Sequence, residues 1–181
     1  QLLRFLGDGA LLSTHGERRV SLAARNVPRA RLEVARLLPD QVQHLAFSNS
    51  GSYAQPGLWT IEADSLVERQ EKRLHLPADD PAKANYEGVD LGQFLAPGKR
   101  GVFLLSLRTL TEYEDGLTEE ETLRRNAGSE TDSRLVVLTD LGILAKKALD
   151  GSRDVFVQSL ARGTPVAGAR VRAVARNGET L

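Results

Sequence analysis

The stretch from residue 154 to residue 178 constrains the fold of this chain more than any other part. The letters V-F-V at 155–157 are β-branched and aromatic, which predicts a strand buried on both faces. Residues 169–173 alternate alanine or valine with arginine, which predicts a strand with one face in water. G-T-P at 163–165 predicts the connection between these strands, and N-G at 177–178 predicts a tight turn. The stretch therefore predicts an antiparallel all-β domain of the sandwich class.

The first part of the chain shows the same period-2 pattern. Residues 20–24 and 31–36 each alternate apolar and polar side chains, with Leu32 and Val34 pointing inward, and N-V-P at 26–28 separates them. We expect these two segments to pair as a β-hairpin. The apolar run G-V-F-L-L-S-L-R-T-L at 101–110 is bounded by turn residues, which predicts a central strand buried on both sides.

The segments between these strands are less regular. Asp40 is placed to cap a short helix that carries Val42, Leu45 and Ala46. Residues 65–76 fit a charged helix or a long solvent-facing strand, and the alternation at their end favours the strand.

Four further segments complete residues 1–140. Residues 88–95 predict one helical turn before a Pro-Gly pair, and 112–132 fit either a short exposed helix at 118–125 or a disordered loop. Residues 2–12 predict a strand, a turn and the start of another strand, and 134–139 predict a strand that closes the first domain.

Four motifs give the chain a resemblance to a known family. V-V-L-T-D-L-G-I-L-A-K-K at 136–147, followed by D-V-F-V-Q-S-L at 154–160, resembles the junction between two macroglobulin-like domains of the bacterial alpha-2-macroglobulins. L-R-F-L-G-D-G at 3–9 and A-R-N-V at 24–27 resemble the preceding domain of that family. The resemblance implies antiparallel macroglobulin-like sandwich domains in tandem, similar to immunoglobulin and fibronectin modules.

The domain boundaries follow from this resemblance and from length. We expect one macroglobulin-like domain over residues 1–140 and the start of a second, truncated one over 141–181, with the join at 140–148. A sandwich of this class takes about 100 residues, so 141–181 would hold only part of one. The alternative is that these strands complete one larger sandwich with residues 1–140.

Composition excludes several functions. Lys plus Arg and Asp plus Glu each number 24, so no net charge attracts nucleic acid or an anionic membrane. Cysteine is absent, which excludes disulfides and cysteine-bound zinc. Methionine is absent even at position 1, so we expect a processed or excised piece. No apolar run reaches the roughly 18 to 20 residues of a membrane span, and no signal-peptide pattern is present.

No catalytic, cofactor or metal site emerges from the motifs. His15, His44 and His75 have no ligand spacing, and the nucleophile motifs G-x-S-x-G and S-x-x-K are absent. The glycine pairs at 7–9 and 98–101 predict turns rather than phosphate loops. The acidic clusters at 79–80, 114–115 and 119–121 lack the alternate spacing of a calcium loop, so we expect solvated charge. Ser48-Asn49-Ser50-Gly51 predicts a flexible loop.

Function is therefore implied by the resemblance alone. Bacterial alpha-2-macroglobulins are protease inhibitors of the cell envelope, periplasmic and anchored to the inner membrane as lipoproteins through an upstream segment, with a role in host defence. They entrap proteases by a conformational change after cleavage of a bait region, and one branch adds a covalent thioester. With neither a cysteine nor an evident bait region, this chain would be a non-catalytic scaffold. Its partners would be proteases, through the full-length protein, neighbouring macroglobulin-like domains and other envelope proteins.

Two other functions fit parts of the sequence. The generic pattern G-x-P-V-x-G-A-x-V at 163–171 also occurs in immunoglobulin-like adhesins and envelope-binding modules, which would use a receptor-binding surface. Trp59 and Tyr53 lie in a Gly- and Pro-rich loop, where they would serve as a carbohydrate-binding patch or as a lid over one end of the core.

Overall fold

The computed structural model describes residues 1–7, 11–48, 61–110, 121, 130–175, 177 and 179–180 of the chain. Strands dominate this part, which confirms the all-β class that the sequence predicts. The elements are β1 (Leu2–Phe5), β2 (Leu11–Ser13), β3 (Arg19–Arg25), β4 (Arg29–Leu37), α1 (Val42–Ser48), β5 (Leu66–His75), β6 (Asn85–Asp90), β7 (Gly101–Thr109), β8 (Glu130–Thr139), β9 (Leu141–Lys147) and β10 (Arg153–Ser159).

Two sheets enclose the main core. One sheet has the strand order β1-β3-β6, and the other has the order β2-β8-β7-β4-β5. All neighbours pair antiparallel except β2 and β8, which are parallel. Each strand contributes alternate residues to the space between the sheets, as the period of a strand requires. The core includes Leu3, Phe5, Val20, Leu22, Ala30, Leu32, Val34, Leu74, Val89, Phe103, Leu105, Leu107, Val136 and Leu138.

Strand β7 is buried on both faces, as its apolar run predicts. Phe103, Leu105 and Leu107 point into the main core. Val102 and Leu104 point the other way into a second core, which also contains Leu37, Leu45 and Leu135. Helix α1 supplies Leu45 and Val42 to that second core, so a helix of about two turns covers part of the outer side of the five-stranded sheet.

The hairpin expected between β3 and β4 is wrong. β3 pairs with β1 and β6, whereas β4 pairs with β5 and β7 in the opposite sheet. The connection crosses the core: Asn26 adopts a left-handed φ of 54° and Val27 is buried. Alternation shows which side of a strand faces the core, but it does not show which sheet the strand joins.

Three smaller expectations also need correction. Asp40 does not cap a helix. It lies inside a 3-10 helix, Pro39–Gln41, whose N-cap residue Leu38 makes no side-chain hydrogen bond. The predicted helical turn at 88–95 is shorter, because 88–90 belong to β6 and only the Leu91–Leu95 turn remains, with Leu95 N donating to Leu91 O at 2.9 Å. Within the segment 65–76, Leu66–His75 form the strand β5, as expected, rather than a helix.

The C-terminal part differs most from its sequence pattern. Residues 169–173 form no strand, and β10 pairs with β9 instead. Val155 and Phe156 are 40% and 54% exposed, so the predicted burial of β10 on both faces is wrong. The chain does reverse near Asn177, where Val174 bridges Thr180 and Ala175 N donates to Glu179 O at 2.8 Å.

Candidate functional site

Asp140 is the single residue between the last sandwich strand, β8, and the hairpin strand β9. Its Oδ2 accepts a hydrogen bond from Ser159 Oγ at 2.8 Å, and its Oδ1 accepts one from Ala161 N at 2.9 Å. Its carbonyl oxygen accepts a third from Leu160 N at 2.7 Å. These bonds tie the entry of the hairpin to its exit, so Asp140 closes the open end of β9 and β10.

The same residue meets the sandwich through the connection between β2 and β3. His15 Nδ1 lies 3.7 Å from Asp140 Oδ1, and Thr14 N donates to Thr139 O at 3.3 Å. The Asp140 side chain is 16% exposed, whereas that of His15 is 64% exposed. The Asp140 side chain is therefore largely shielded from solvent, whereas the His15 side chain lies on its solvent side.

The hydrogen bonds of Asp140 favour its ionised form. The backbone N–H of Ala161, and then the hydroxyl of Ser159, lower the pKa of the Asp140 carboxyl below its usual value, with a smaller contribution from His15. A lowered folded-state pKa stabilises the hairpin exit above the unfolded-state pKa, which for aspartate is about 3.9. That contribution disappears as the pH falls through the lower, folded-state value.

We expect Asp140→Ala to expose the turn after β10. The amide of Ala161 loses its acceptor, so its hydrogen exchange at neutral pH should be faster than in the unmodified chain, whereas exchange in β7 should be unchanged. Asp150→Ala is the matched control, because Asp150 caps only the hairpin tip, through Ser152. Equal rates of hydrogen exchange at the Ala161 amide in both variants would mean that the hydrogen bonds of Asp140 do not hold this turn in place.

The hairpin beyond this junction has two distinct faces. Cross-strand partners share a face, and the register pairs Ile143 with Val157, and Leu144 with Phe156. We call the first set the aliphatic face: Leu141, Ile143, Ala145, Val155 and Val157. We call the second set the phenylalanine face: Gly142, Leu144, Lys146, Asp154, Phe156 and Gln158.

Both faces carry exposed apolar side chains. On the aliphatic face Leu141 is 46% and Ile143 66% exposed. On the phenylalanine face Leu144 is 56% exposed, and the Lys146 ammonium lies 5.6 Å from the Phe156 ring centroid. A two-stranded sheet alone is marginally stable in water, and grouped apolar exposure of this kind is typical of surfaces that pack against something else.

A buried arginine joins the two sheets of the sandwich at the opposite end of β8. Arg134 Nη1 donates to Leu6 O at 2.7 Å, Nη2 donates to Gly7 O, and the guanidinium lies 5.4 Å from the Phe5 ring centroid. Phe5 N donates to Asp132 Oδ2 at 2.7 Å. Strand β1 is thus held onto β8 where the chain passes from one sheet to the other.

The structure separates the residues that the sequence singled out. His15 lies in a turn, His44 in α1 and His75 at the end of β5. Among the described residues, no group of three or more His, Asp or Glu side chains is placed to hold a metal ion. Asp80 Oδ1 accepts a hydrogen bond from the backbone N–H of Ala82 in the same loop. The expectations for Trp59, Tyr53, Asn49 to Gly51, and the acidic clusters at 114–115 and 119–120 lie outside the described residues.

Sequence reasoning predicted a domain join at residues 140–148 but missed the roles of Asp140 and Arg134. The available signal for Asp140 was an acidic residue between two strand patterns, opposite a serine that ends the next strand. The sequence contains no such signal for Arg134, because this arginine lies at a core-facing position of β8 where the alternation predicts an apolar residue. Within the described residues, no helix has the length and apolar character of a membrane span.

Comparison with known proteins identifies the class first. No family model matches the chain. Native alpha-2-macroglobulin from Escherichia coli spanning domains MG0-NIE-MG1 matches 99% of this chain and 52% of its own, with a TM-score of 0.61 and 19% identity. The trypsin-activated Escherichia coli protein matches 100% of this chain and 11% of its own, with a TM-score of 0.64 and 20% identity. The fold is therefore that of macroglobulin-like β-sandwich domains.

Sequence similarity then gives the family. An alpha-2-macroglobulin homolog from Yersinia pestis is 39% identical over 184 residues, which cover 99% of this chain and 9% of the relative. An alpha-2-macroglobulin from Pasteurella multocida is 34% identical over 184 residues, covering 98% of this chain and 10% of the relative. The chain corresponds to a segment of the bacterial alpha-2-macroglobulin family, and it spans about a tenth of the length of these relatives.

Proposed function

We propose that this chain is a non-catalytic scaffold segment of a bacterial alpha-2-macroglobulin that inhibits proteases by conformational entrapment. The observation that carries the proposal is that one fold matches both forms of the Escherichia coli protein, native at a TM-score of 0.61 and trypsin-activated at 0.64. A segment whose fold persists between two forms is suited to transmit or resist a rearrangement of the domains around it.

The interior of the sandwich supports a rigid role. Two cores lie on opposite sides of β7, and they fix that strand from both faces. Close-packed interiors deform little, so a load on one sheet passes to the other. Strand β8 then continues through the single residue Asp140 into β9, which leaves a short connection between the sandwich and the hairpin.

The domain organisation belongs to the same proposal. Residues 1–140 form one macroglobulin-like domain, and residues 141–181 begin a second, whose core would include the aliphatic face of the hairpin. Exposed aliphatic side chains on a two-stranded sheet support this assignment, because a sandwich needs a second sheet over that face. The parent protein would act in the periplasm, anchored to the inner membrane, with proteases and neighbouring domains as partners.

The test uses the full-length protein with paired spin labels at Leu11→Cys and Tyr86→Cys. Leu11 lies on β2 and Tyr86 on β6, in opposite sheets, and they are 56% and 70% exposed. On addition of trypsin, we expect the distance between the labels to change by less than about 2 Å, the scale that separates rigid partners from rearranged ones. Trypsin should keep its activity on a small peptide and lose it on a large protein.

Two results would contradict the proposal. A larger change in the distance between the labels would mean that the sandwich itself rearranges. Unchanged trypsin activity on the large protein would remove entrapment and favour the envelope-binding alternative. The 181-residue segment contains no cysteine of its own, so labelling in this segment gives the reference distance. Any cysteine elsewhere in the full-length protein is replaced by serine before labelling.

A further inference from the structure

Strand β5 lies at one edge of the five-stranded sheet. The strand order places β4 on one side of it, and no other described strand lies on its open side. The strand is ten residues long, and the four residues from Glu68 to Glu71 near its middle are exposed. The open side of an edge strand presents unpaired N–H and C=O groups, which can pair with a strand of another molecule. An edge of this length is therefore open to strand addition unless its own structure prevents it.

A β-bulge at Glu68 interrupts this edge. From Val34 to Arg36, β4 advances by two residues. The matching partners on β5, Gln70 and Val67, are three residues apart, so β5 carries one extra residue here. Glu68 has a left-handed φ of 51°, which glycine adopts without strain and a long side chain does not. A bulge bends and twists the strand, so this edge is a poor template for a straight partner strand.

Two cations hold Glu68 in this strained conformation. Its Oε1 accepts a hydrogen bond from Arg36 Nη1 at 2.9 Å, and its Oε2 accepts one from Lys99 Nζ at 2.7 Å. Arg36 belongs to β4 and Lys99 to the connection before β7, so the carboxylate joins the edge strand to two neighbouring elements. The bond from Lys99, and then that from Arg36, lower the pKa of the Glu68 carboxyl below its usual value. Glycine would relieve the strain but could make neither bond.

The charges of β5 fit a second copy of the same strand. The sequence E-R-Q-E-K is centred on Gln70 and is self-complementary about it. In an antiparallel pair of two copies related by a two-fold axis at this residue, Glu68 would lie opposite Lys72. Arg69 would lie opposite Glu71 in the same way. Opposite charges at facing positions stabilise a strand pair, and the two-fold symmetry makes each contact twice.

We propose that the Glu68 bulge blocks antiparallel pairing of β5 with a second copy, because it holds within one molecule the charges that would bind the other. Arg69 is held in the same way: Nη1 donates to Glu33 Oε1 at 3.2 Å, and Nη2 donates to Ala63 O at 2.8 Å. Release of Glu68 from its two cations allows it to return to an extended conformation and frees its carboxylate for the second copy. The inference goes beyond the proposed function, since it holds whether or not the parent protein inhibits proteases.

The test removes the two cations and measures self-association of the 181-residue chain by sedimentation equilibrium. Arg36→Gln combined with Lys99→Gln frees Glu68 and keeps every charge of β5 itself. Lys99→Gln alone is the milder release, outside the sheet. Lys72→Glu added to the double variant is the matched control, because it would set two carboxylates opposite each other in the paired strands. Circular dichroism checks that each variant folds.

We expect the association constant of the double variant to be at least about tenfold larger than that of the unmodified chain, corresponding to about 1.4 kcal/mol. Lys99→Gln alone should give an intermediate value, and Lys72→Glu should return the double variant to the unmodified value. An unchanged association constant in the released variants would overturn the inference. A larger constant that persists with Lys72→Glu would also overturn it and assign the contact to another surface. If the double variant does not fold, Lys99→Gln with and without Lys72→Glu decides by the same comparison.

Discussion

Replacing Leu105 with alanine should lower the free energy of unfolding by about 2 to 5 kcal/mol. Leu105 is fully buried on β7, the central strand of the five-stranded sheet, and it contributes to the main core between the two sheets. Truncation removes apolar contacts and leaves a cavity that β4 and β8 on either side cannot fill without breaking their pairing. Urea unfolding followed by circular dichroism measures the loss.

Two controls make this result specific to the architecture. Leu104→Ala removes the same atoms from the other face of β7, where Leu104 is 6% exposed in the second core, and we expect a loss in the same range. Leu144→Ala removes them from the hairpin, where the side chain is 56% exposed, and we expect a change within about 0.5 kcal/mol. A negligible loss for Leu104→Ala would mean that the second core does not stabilise the sheet.

The strongest sequence patterns gave the right elements. The uninterrupted apolar run at 101–110 could be interpreted without knowing any partner, because a strand of that composition must be covered on both sides. The alternation in β4 likewise identified Leu32 and Val34 as core residues. These properties are local, and local periodicity is enough to establish them.

The pairing of strands was not local, and it was predicted less well. β3 and β4 follow each other closely, yet they lie in different sheets, because the buried Val27 carries the chain across the core. The strand β6 was missed, since Y-E-G-V-D has little apolar content and gains its place by pairing with β3. The pattern at 169–173 fits a strand, but the described part of the structure offers it no partner there.

The candidate site also has a local feature that the sequence suggests and non-local contacts that it does not. The family motif predicts a domain join at residues 140–148, and this stays a prediction. The structure shows that β8 ends just before Asp140 and that β9 begins just after it. The bonds from Ser159 and Ala161 to Asp140 depend on how the hairpin closes, which no spacing along the sequence reveals. β10 was predicted from its composition to be buried on both faces, whereas Val155 and Phe156 are 40% and 54% exposed in the structure.

Replacing Arg134 with leucine should lower the free energy of unfolding by about 2 to 5 kcal/mol. Its two hydrogen bonds contribute about 1.5 to 3 kcal/mol each, and the desolvation of the buried guanidinium offsets part of that sum. Arg134 is 6% exposed, and it supplies donors to the carbonyl oxygens of Leu6 and Gly7. Leucine fills much of the space but leaves both acceptors without that donor where β1 passes to β2. The first effect should be early exchange of the β1 amides, with β7 still protected.

Lysine at position 134 separates charge from geometry. Its single ammonium keeps the positive charge beside Phe5 but lacks the two-pronged shape that reaches both carbonyls, so Arg134→Lys should be intermediate between arginine and leucine. Arg153→Leu, at an exposed position on β10, should change the free energy of unfolding by less than about 0.5 kcal/mol. Desolvation of the guanidinium works against the stabilisation from these hydrogen bonds, because Arg134 Nε is buried without a hydrogen-bond partner. A leucine variant as stable as the arginine protein would mean that this cost cancels the two bonds, and that β1 is held by its apolar contacts alone.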